Sequence, residues 1–281
     1  MKHILLPTDF SENAWNAISY AAQIFKNDVC TFHLLHTYTP VIYQTEFVMM
    51  NTSQLELSDI IRETAEKNLE KVKQKLLNTF PNKNHEVISI LAFNTLINEI
   101  KEQAEKLKID YIVMGTKGAT GASEIVFGTN TVHTLNNAKC PLIAVPENFK
   151  AIPPKSVLFP SDYGVDFKDK HINPIKDIVK ANKSMLNILH VSFGYELSYK
   201  NLQRKNVLET MLSDTNFKFH DHSDESLENA INIFIKKMDI DLLVLINNKK
   251  SFFENLFFRP FVNKIGLHLE IPLLVIPSFK N

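Results

Sequence analysis

Glycine is scarce in this chain, at 7 of 281 residues, where about 7% is usual. Cysteine is scarcer still. Cys30 and Cys140 are the only two, which excludes a disulfide framework and offers no zinc-ligand spacing. Each adjoins an apolar run and reads as a reduced core thiol. No stretch of about 18 apolar residues occurs, so no membrane span is expected. The opening residues Met1–Phe10 hold only the short apolar run Ile4-Leu5-Leu6 before Pro7, too short for a signal-peptide core. A cytoplasmic location is expected on that basis. Charge of one sign is also lacking: Lys+Arg is 31 and Asp+Glu is 31. That balance leaves no electrostatic footprint for nucleic acid or for an anionic membrane. What is present is a hydrophobic fraction of 44% and a charged fraction of 22%, the composition of a globular protein with a sizeable core.

The chain repeats itself. Lys2–Asp9 (KHILLPTD) matches Lys155–Asp162 (KSVLFPSD), and Phe32–His36 (FHLLH) matches Leu186–His190 (LNILH). Ile109–Met114 (IDYIVM) matches Ile240–Leu245 (IDLLVL), and Pro141–Pro146 (PLIAVP) matches Pro272–Pro277 (PLLVIP). The order is the same in both copies, and the offsets are 153, 154, 131 and 131. Two copies of one domain of about 130–150 residues are expected. The boundary falls near Glu147–Lys155, where Pro153-Pro154 reads as a stiff linker.

The matched segments are continuous apolar runs rather than alternating ones, as in parallel strands buried on both faces. In the first copy, strands are expected near 3–7, 29–37, 86–91, 110–115 and 142–146. Helical periodicity lies between them. Ser11 can N-cap a helix carrying Ala14, Ile18, Ala21, Ala22 and Phe25. Residues 55–79 and 96–108 follow the same spacing, and the second copy answers with Ile172–Val179 and Leu227–Ile235. Strands alternating with helices predict an α/β fold: two repeated, doubly wound domains, each with a five-stranded parallel sheet.

In such sheets ligands sit at the carboxyl ends of the strands, which directs attention to Thr8-Asp9, Thr37, Asn94 and the segment after strand four. Four of the seven glycines, Gly115, Gly118, Gly121 and Gly128, fall within that last segment. Gly115 and Gly118 allow close backbone approach to a phosphate and permit positive φ. Thr129 is a candidate N-cap for a short helix whose free N–H groups and dipole suit an anion, and the hydroxyls of Thr129 and Thr131 add donors. The alternative is a turn that simply needs glycines, and the clustering favours the phosphate cradle. Asp9 has two readings as well, a local turn residue or a carboxylate placed to hold Mg²⁺. Its repeat, Asp162, favours the turn, and the two roles are compatible.

The cradle matches neither the P-loop nor the dinucleotide fingerprint. It reads G-x2-G-x9-G-T at Gly115, Gly118, Gly128 and Thr129, and this resembles the ATP-binding signature of the universal stress protein family. Pro7-Thr8-Asp9-Phe10-Ser11, Leu35-His36, Val113-Met114-Gly115 and Cys140–Pro146 are similar to the same family, in the same order. The resemblance covers the whole first copy and, through weaker motifs, the second. It implies strand order 3-2-1-4-5 and an ATP site. In that site Asp9 contacts the nucleoside or, through Mg-ATP, a metal ion, and the Thr37 backbone meets adenine. Gly115, Gly118, Gly128, Thr129 and Thr131 line the phosphates, and Pro7, Thr8, Met114 and Asn130 complete the set. Asn94 stands where the family often has glycine, and Asn tolerates the left-handed conformation better than most residues.

The second copy lacks these glycines. Aligned without a gap, Gly115 meets Ile246, Gly118 meets Lys249, Gly128 meets Arg259 and Thr129 meets Pro260. Its equivalent segment is rich in phenylalanine over 252–261. Residues 1–147 are therefore expected to form the ATP-binding domain and 154–281 a degenerate partner. The resemblance implies that the two join as an internal pseudo-dimer through the Val145 and Ile276 regions, and a homodimer of chains stays open. His33 and His36 face opposite sides of a strand and share no metal. His220 and His222 share a face if their segment is a strand, but a metal there needs further ligands. No G-x-S-x-G nucleophile motif occurs. The implied function is a nucleotide-dependent sensor or partner-binding protein of the stress response. The alternatives are slow ATP hydrolysis or autophosphorylation, and an interaction module without nucleotide.

Overall fold

The computed structural model describes residues 1–39, 52–116, 128–194, 196–224, 226–247 and 270–277, with backbone only over 52–57. The first half runs β1 (Lys2–Pro7), α1 (Glu12–Ile24), β2 (Cys30–Tyr38), α2 (Thr52–Thr79), β3 (His85–Phe93), α3 (Leu96–Lys106), β4 (Tyr111–Gly115), α4 (Thr129–Asn137) and β5 (Leu142–Val145). The second runs β6 (Ser156–Pro160), α5 (Asp169–Asn182), β7 (Met185–Ser192), α6 (Tyr199–Leu212), β8 (Phe217–Ser223), α7 (Leu227–Lys237), β9 (Leu242–Asn247) and β10 (Leu273–Pro277). The five strands expected in the first copy all form, with ends within two residues of the expected ones.

Strand order is β3-β2-β1-β4-β5-β10-β9-β6-β7-β8. Each half is therefore the parallel 3-2-1-4-5 arrangement. The two sheets are continuous: β10 pairs antiparallel with β5, Leu274 opposite Ile143. The result is one ten-stranded mixed sheet rather than two separate ones.

The apolar runs explain the layering. Ile4 and Leu6 point into the core that holds α1, α2, α5 and α6, and Leu5 points into the core that holds α3, α4 and α7. All three are fully buried, and each such side chain contributes about 1.5–3 kcal/mol. Ser11 N-caps α1, its Oγ accepting from the Ala14 N–H at 3.2 Å. The alanines Ala14, Ala17, Ala21 and Ala22 give that helix a narrow buried face, which lets it lie close on the sheet.

Side chains also tie the halves together. Tyr111 Oη donates to the Pro174 carbonyl at 3.1 Å. Asn182 donates to the Ile24 carbonyl at 3.0 Å and Asn27 to the Ala181 carbonyl at 2.7 Å. Asn16 of α1 aims its Nδ2 at the carbonyls of Pro146, Glu147 and Phe149, which fixes the chain as it leaves β5. Among the described residues no helix is long and apolar enough to cross a membrane.

Candidate functional site

The turn after β1 is built by local bonds. Thr8 Oγ1 accepts from the Phe10 N–H at 3.0 Å, and Asp9 Oδ1 accepts from the Ser11 N–H at 3.0 Å and from its hydroxyl at 2.6 Å. Phe10 is thereby held at φ 67°, in the left-handed region that non-glycine residues seldom enter. The second half repeats the device. Ser161 Oγ accepts from the Tyr163 N–H at 3.1 Å, Asp162 Oδ1 from the Gly164 N–H at 2.8 Å, and Tyr163 sits at φ 54°. The carboxylate thus has a structural task in both halves, as its repetition in the sequence suggested.

Beside the first of these turns lies a cleft of about 330 Å³. Its walls are Pro7, Thr8, Asp9, Ala14, Thr37, Leu96, Met114, Gly115, Gly128, Thr129, Asn130 and Thr131. Ten of the eleven residues singled out from the sequence therefore converge on one cavity, at the carboxyl ends of β1, β2 and β4. The eleventh, Gly118, lies outside the described residues. Among the described wall residues, Asp9 supplies the only charged side chain. Ala14 and Leu96 were not foreseen, although Leu96 opens the helix that follows β3, a position where a wall residue is expected.

Gly115 and Gly128 act differently from the sequence expectation, and Gly121, like Gly118, lies outside the described residues. Gly115 is not in the left-handed region. A Cβ there would stand 2.5 Å from Asn13 Nδ2, so the residue is small because α1 packs against the end of β4. Gly128 has φ −57° and ψ 150° and is itself the N-cap of α4, with no side-chain capping bond. Thr129 is the first helical residue, not the cap. The Thr131 hydroxyl donates to the buried Gly115 carbonyl at 2.9 Å and so gives its proton to the fold rather than to an anion. What α4 presents to the cleft is its N-terminal backbone, with the positive end of its dipole and no acidic residue in the first turn.

Asn94 also departs from expectation. It is absent from the left-handed residues and instead braces the start of α3. Its Oδ1 accepts from the Thr95 N–H at 2.8 Å and its Nδ2 donates to buried Glu99 at 2.9 Å. His33 and His36 do face opposite ways, His33 toward His3 at 3.1 Å and His36 toward Phe10. His220 and His222 share the Phe234 face. Among the described residues no group of His, Cys, Asp and Glu is arranged to hold a metal ion. Burial pushes the thiols of Cys30 and Cys140 up to about 12, which leaves both protonated and unreactive.

In the second half the cleft positions read differently. Val191 stands for Thr37, Leu245 for Met114 and Ile246 for Gly115, and all three are buried. The helix after β6 starts at Asp169, nine residues past Pro160, whereas α1 starts five residues past Pro7. Lys249, Arg259, Pro260 and the phenylalanine-rich stretch lie outside the described residues.

The universal stress protein family model matches residues 1–146, just over half the chain. A universal stress protein of Methanocaldococcus jannaschii is 32% identical over 146 residues, which is 51% of this chain and 81% of that protein. The chain belongs to the universal stress protein family. A universal stress protein structure from Archaeoglobus fulgidus covers 98% of this chain and 96% of its own at TM-score 0.70 and 20% identity. That likeness carries the same fold across both halves. Another structure, a universal stress protein in complex with cAMP, covers 52% of this chain and 98% of its own at 14% identity and TM-score 0.40.

Proposed function

We propose that the first half of this chain, residues 1–147, binds an adenine nucleotide in the cleft at Thr8, Asp9, Thr37 and the start of α4. The protein then acts in the stress response as a nucleotide-dependent sensor or partner-binding protein. The observation that carries this reading is the convergence of ten residues from four stretches of the chain, 7–9, 37, 114–115 and 128–131, on one cavity that also receives a helix N-terminus. Backbone N–H groups of Thr129, Asn130 and Thr131 face the phosphates. The Thr37 backbone meets the base. Asp9, the one carboxylate among the described wall residues, holds Mg²⁺ where the nucleotide brings it. The Met114 and Leu96 side chains give the nucleoside an apolar surface.

Residues 154–281 serve as a degenerate partner without a family-type ATP site, and the halves form an internal pseudo-dimer along β5 and β10. The loss of the motif glycines supports this: in gap-free register Lys249 and Arg259 stand for Gly118 and Gly128, and Pro260, which lacks an N–H, stands for Thr129. Titration with Mg-ATP in a calorimeter tests both parts through the stoichiometry. One site per chain is expected, lost in the double variant Gly118→Val with Gly128→Val. Two sites overturn the degenerate assignment. Absence of binding by protein freed of bound nucleotide overturns the nucleotide reading.

A further inference from the structure

The pairing of β1 with β2 ends at Pro7 opposite Leu35, with one more rung from the Thr8 N–H to the Leu35 carbonyl at 2.8 Å. In a parallel ladder the backbone groups of alternate residues face the same neighbour. The Cys30 N–H faces the β3 side, donating to the Asn84 carbonyl at 3.0 Å. Odd-numbered N–H groups of β2, that of Thr37 among them, therefore face β1. The next rung of the ladder would run from the Thr37 N–H to the Thr8 carbonyl, and this rung does not form among the described residues. The Thr8 carbonyl is met instead by the His36 ring, whose Nδ1 lies 2.8 Å away. A carbonyl only accepts, so Nδ1 carries the proton. Phe10, held left-handed, lays its ring 4.3 Å from the imidazole at 34° and keeps it in place.

The second half repeats the arrangement. Pairing stops at Pro160 opposite Leu189, the Ser161 N–H donates to the Leu189 carbonyl at 2.8 Å, and His190 Nδ1 lies 3.3 Å from the Ser161 carbonyl. The Tyr163 ring is 5.5 Å from that imidazole. The first-half histidine differs from its repeat in one respect: the residue that follows it, Thr37, is a wall of the cleft.

We propose that His36 is a positioning residue of the cleft. By occupying the Thr8 carbonyl it ends the β1–β2 ladder one rung early and reserves the Thr37 N–H as a donor to an acceptor nitrogen of a bound nucleoside base. The inference rests on the nucleotide reading above and deepens it. His190 performs the same termination in a half where no ligand uses the released N–H.

Three measurements on the full chain test this, with Mg-ATP as the probe. First, nitrogen-15 spectra of the free protein should show the Nδ1–H form at His36 and His190, and an Nε2–H form at His36 overturns the proposal. Second, amide exchange should slow at Thr37 in the variant His36→Leu, because the Thr8 carbonyl becomes available to it. A merely destabilising substitution speeds exchange, so unchanged or faster exchange at Thr37 overturns the proposal. Third, His36→Leu should weaken Mg-ATP binding about tenfold, the effect of one lost hydrogen bond. His36→Asn, which keeps a donor near the Nδ1 position, should recover most of the affinity, and His190→Leu should leave it unchanged. Equal affinity of folded His36→Leu and the parent chain overturns the proposal while leaving the nucleotide reading intact. A parent chain that binds no Mg-ATP, yet shows slowed Thr37 exchange in His36→Leu, supports the ladder termination and removes the nucleotide reading. If His36→Leu does not fold, His36→Asn and the nitrogen-15 spectra decide the matter.

Discussion

The Thr131 hydroxyl donates to the Gly115 carbonyl at 2.9 Å, and both residues are buried. This single bond fastens the first turn of α4 to the end of β4, across the residues that separate them in the chain. With the Gly128 N–H bond to the Thr116 carbonyl, it holds the N-terminus of α4 against the end of the strand.

The isosteric substitution Thr131→Val removes the donor and leaves the Gly115 carbonyl buried and unsatisfied. The expected loss of stability is about 1–3 kcal/mol, read from chemical denaturation. Mg-ATP affinity should fall with it, because α4 is then free to tilt. An unchanged denaturation midpoint would sink this account of the α4 anchor.

Gly115→Ala puts a Cβ 2.5 Å from Asn13 Nδ2. Overpacking of this kind destabilises by about 1–3 kcal/mol. The same substitution made in an Asn13→Ala background should be milder, since the group it strikes is gone. A double-mutant cycle on denaturation midpoints measures the difference, and strict additivity would show that α1 and β4 are not in conflict there.

His33, His85, His171 and His220 are each held below their ordinary value of 6.5, chiefly by burial. His3 adds to the effect at His33, as do Lys170 at His171 and Lys218 at His220. Below about pH 6.5 the unfolded chain therefore takes up more protons than the folded one. Stability present above that pH is lost as the pH falls through the lowered folded-state values. Urea midpoints should drop between about pH 7.5 and about pH 5. His220→Gln keeps a donor for Asn187, which His220 meets at 2.9 Å, and should flatten part of the slope. A midpoint independent of pH across that range would refute the assignment.

Asp241 Oδ2 accepts from the N–H groups of both Lys155 and Ser156, at 2.8 and 3.1 Å. Its repeat, Asp110, accepts from the His3 N–H at 2.8 Å. Hydrogen bonds to a charged group are worth about 1.5–3 kcal/mol each. Asp241→Ala should therefore destabilise the chain more than Asp110→Ala does, and thermal or urea unfolding of the two variants ranks them.

Much of this architecture is legible in the sequence because strands buried on both faces must be continuously apolar. Ile4–Leu6, Ile112–Met114 and Leu142–Val145 admit few other readings, and their repetition in the second copy fixes the order. The cleft is legible for a related reason: residues that follow parallel strands have nowhere to go but one edge of the sheet. The departures come from side-chain contacts that a one-dimensional pattern does not show. Gly115 is small because of Asn13, and Thr131 turns its hydroxyl inward because of Gly115. Asn94 braces Glu99 instead of adopting a left-handed turn. The left-handed conformations of Phe10 and Tyr163 are likewise invisible in a sequence, since only the bonds to Thr8 and Ser161 and the stacking on His36 and His190 make them tolerable.

The antiparallel rung between β5 and β10 has a further consequence. Each half covers an edge that would otherwise offer unpaired backbone groups to any passing strand. Because both partners sit on one chain, dilution does not separate them, and their contact is governed by tether length rather than by protein concentration. Among the described strands, the ten-stranded sheet then ends at β3 and β8. The second half keeps its place by closing that edge, whatever chemistry its own strand ends carry.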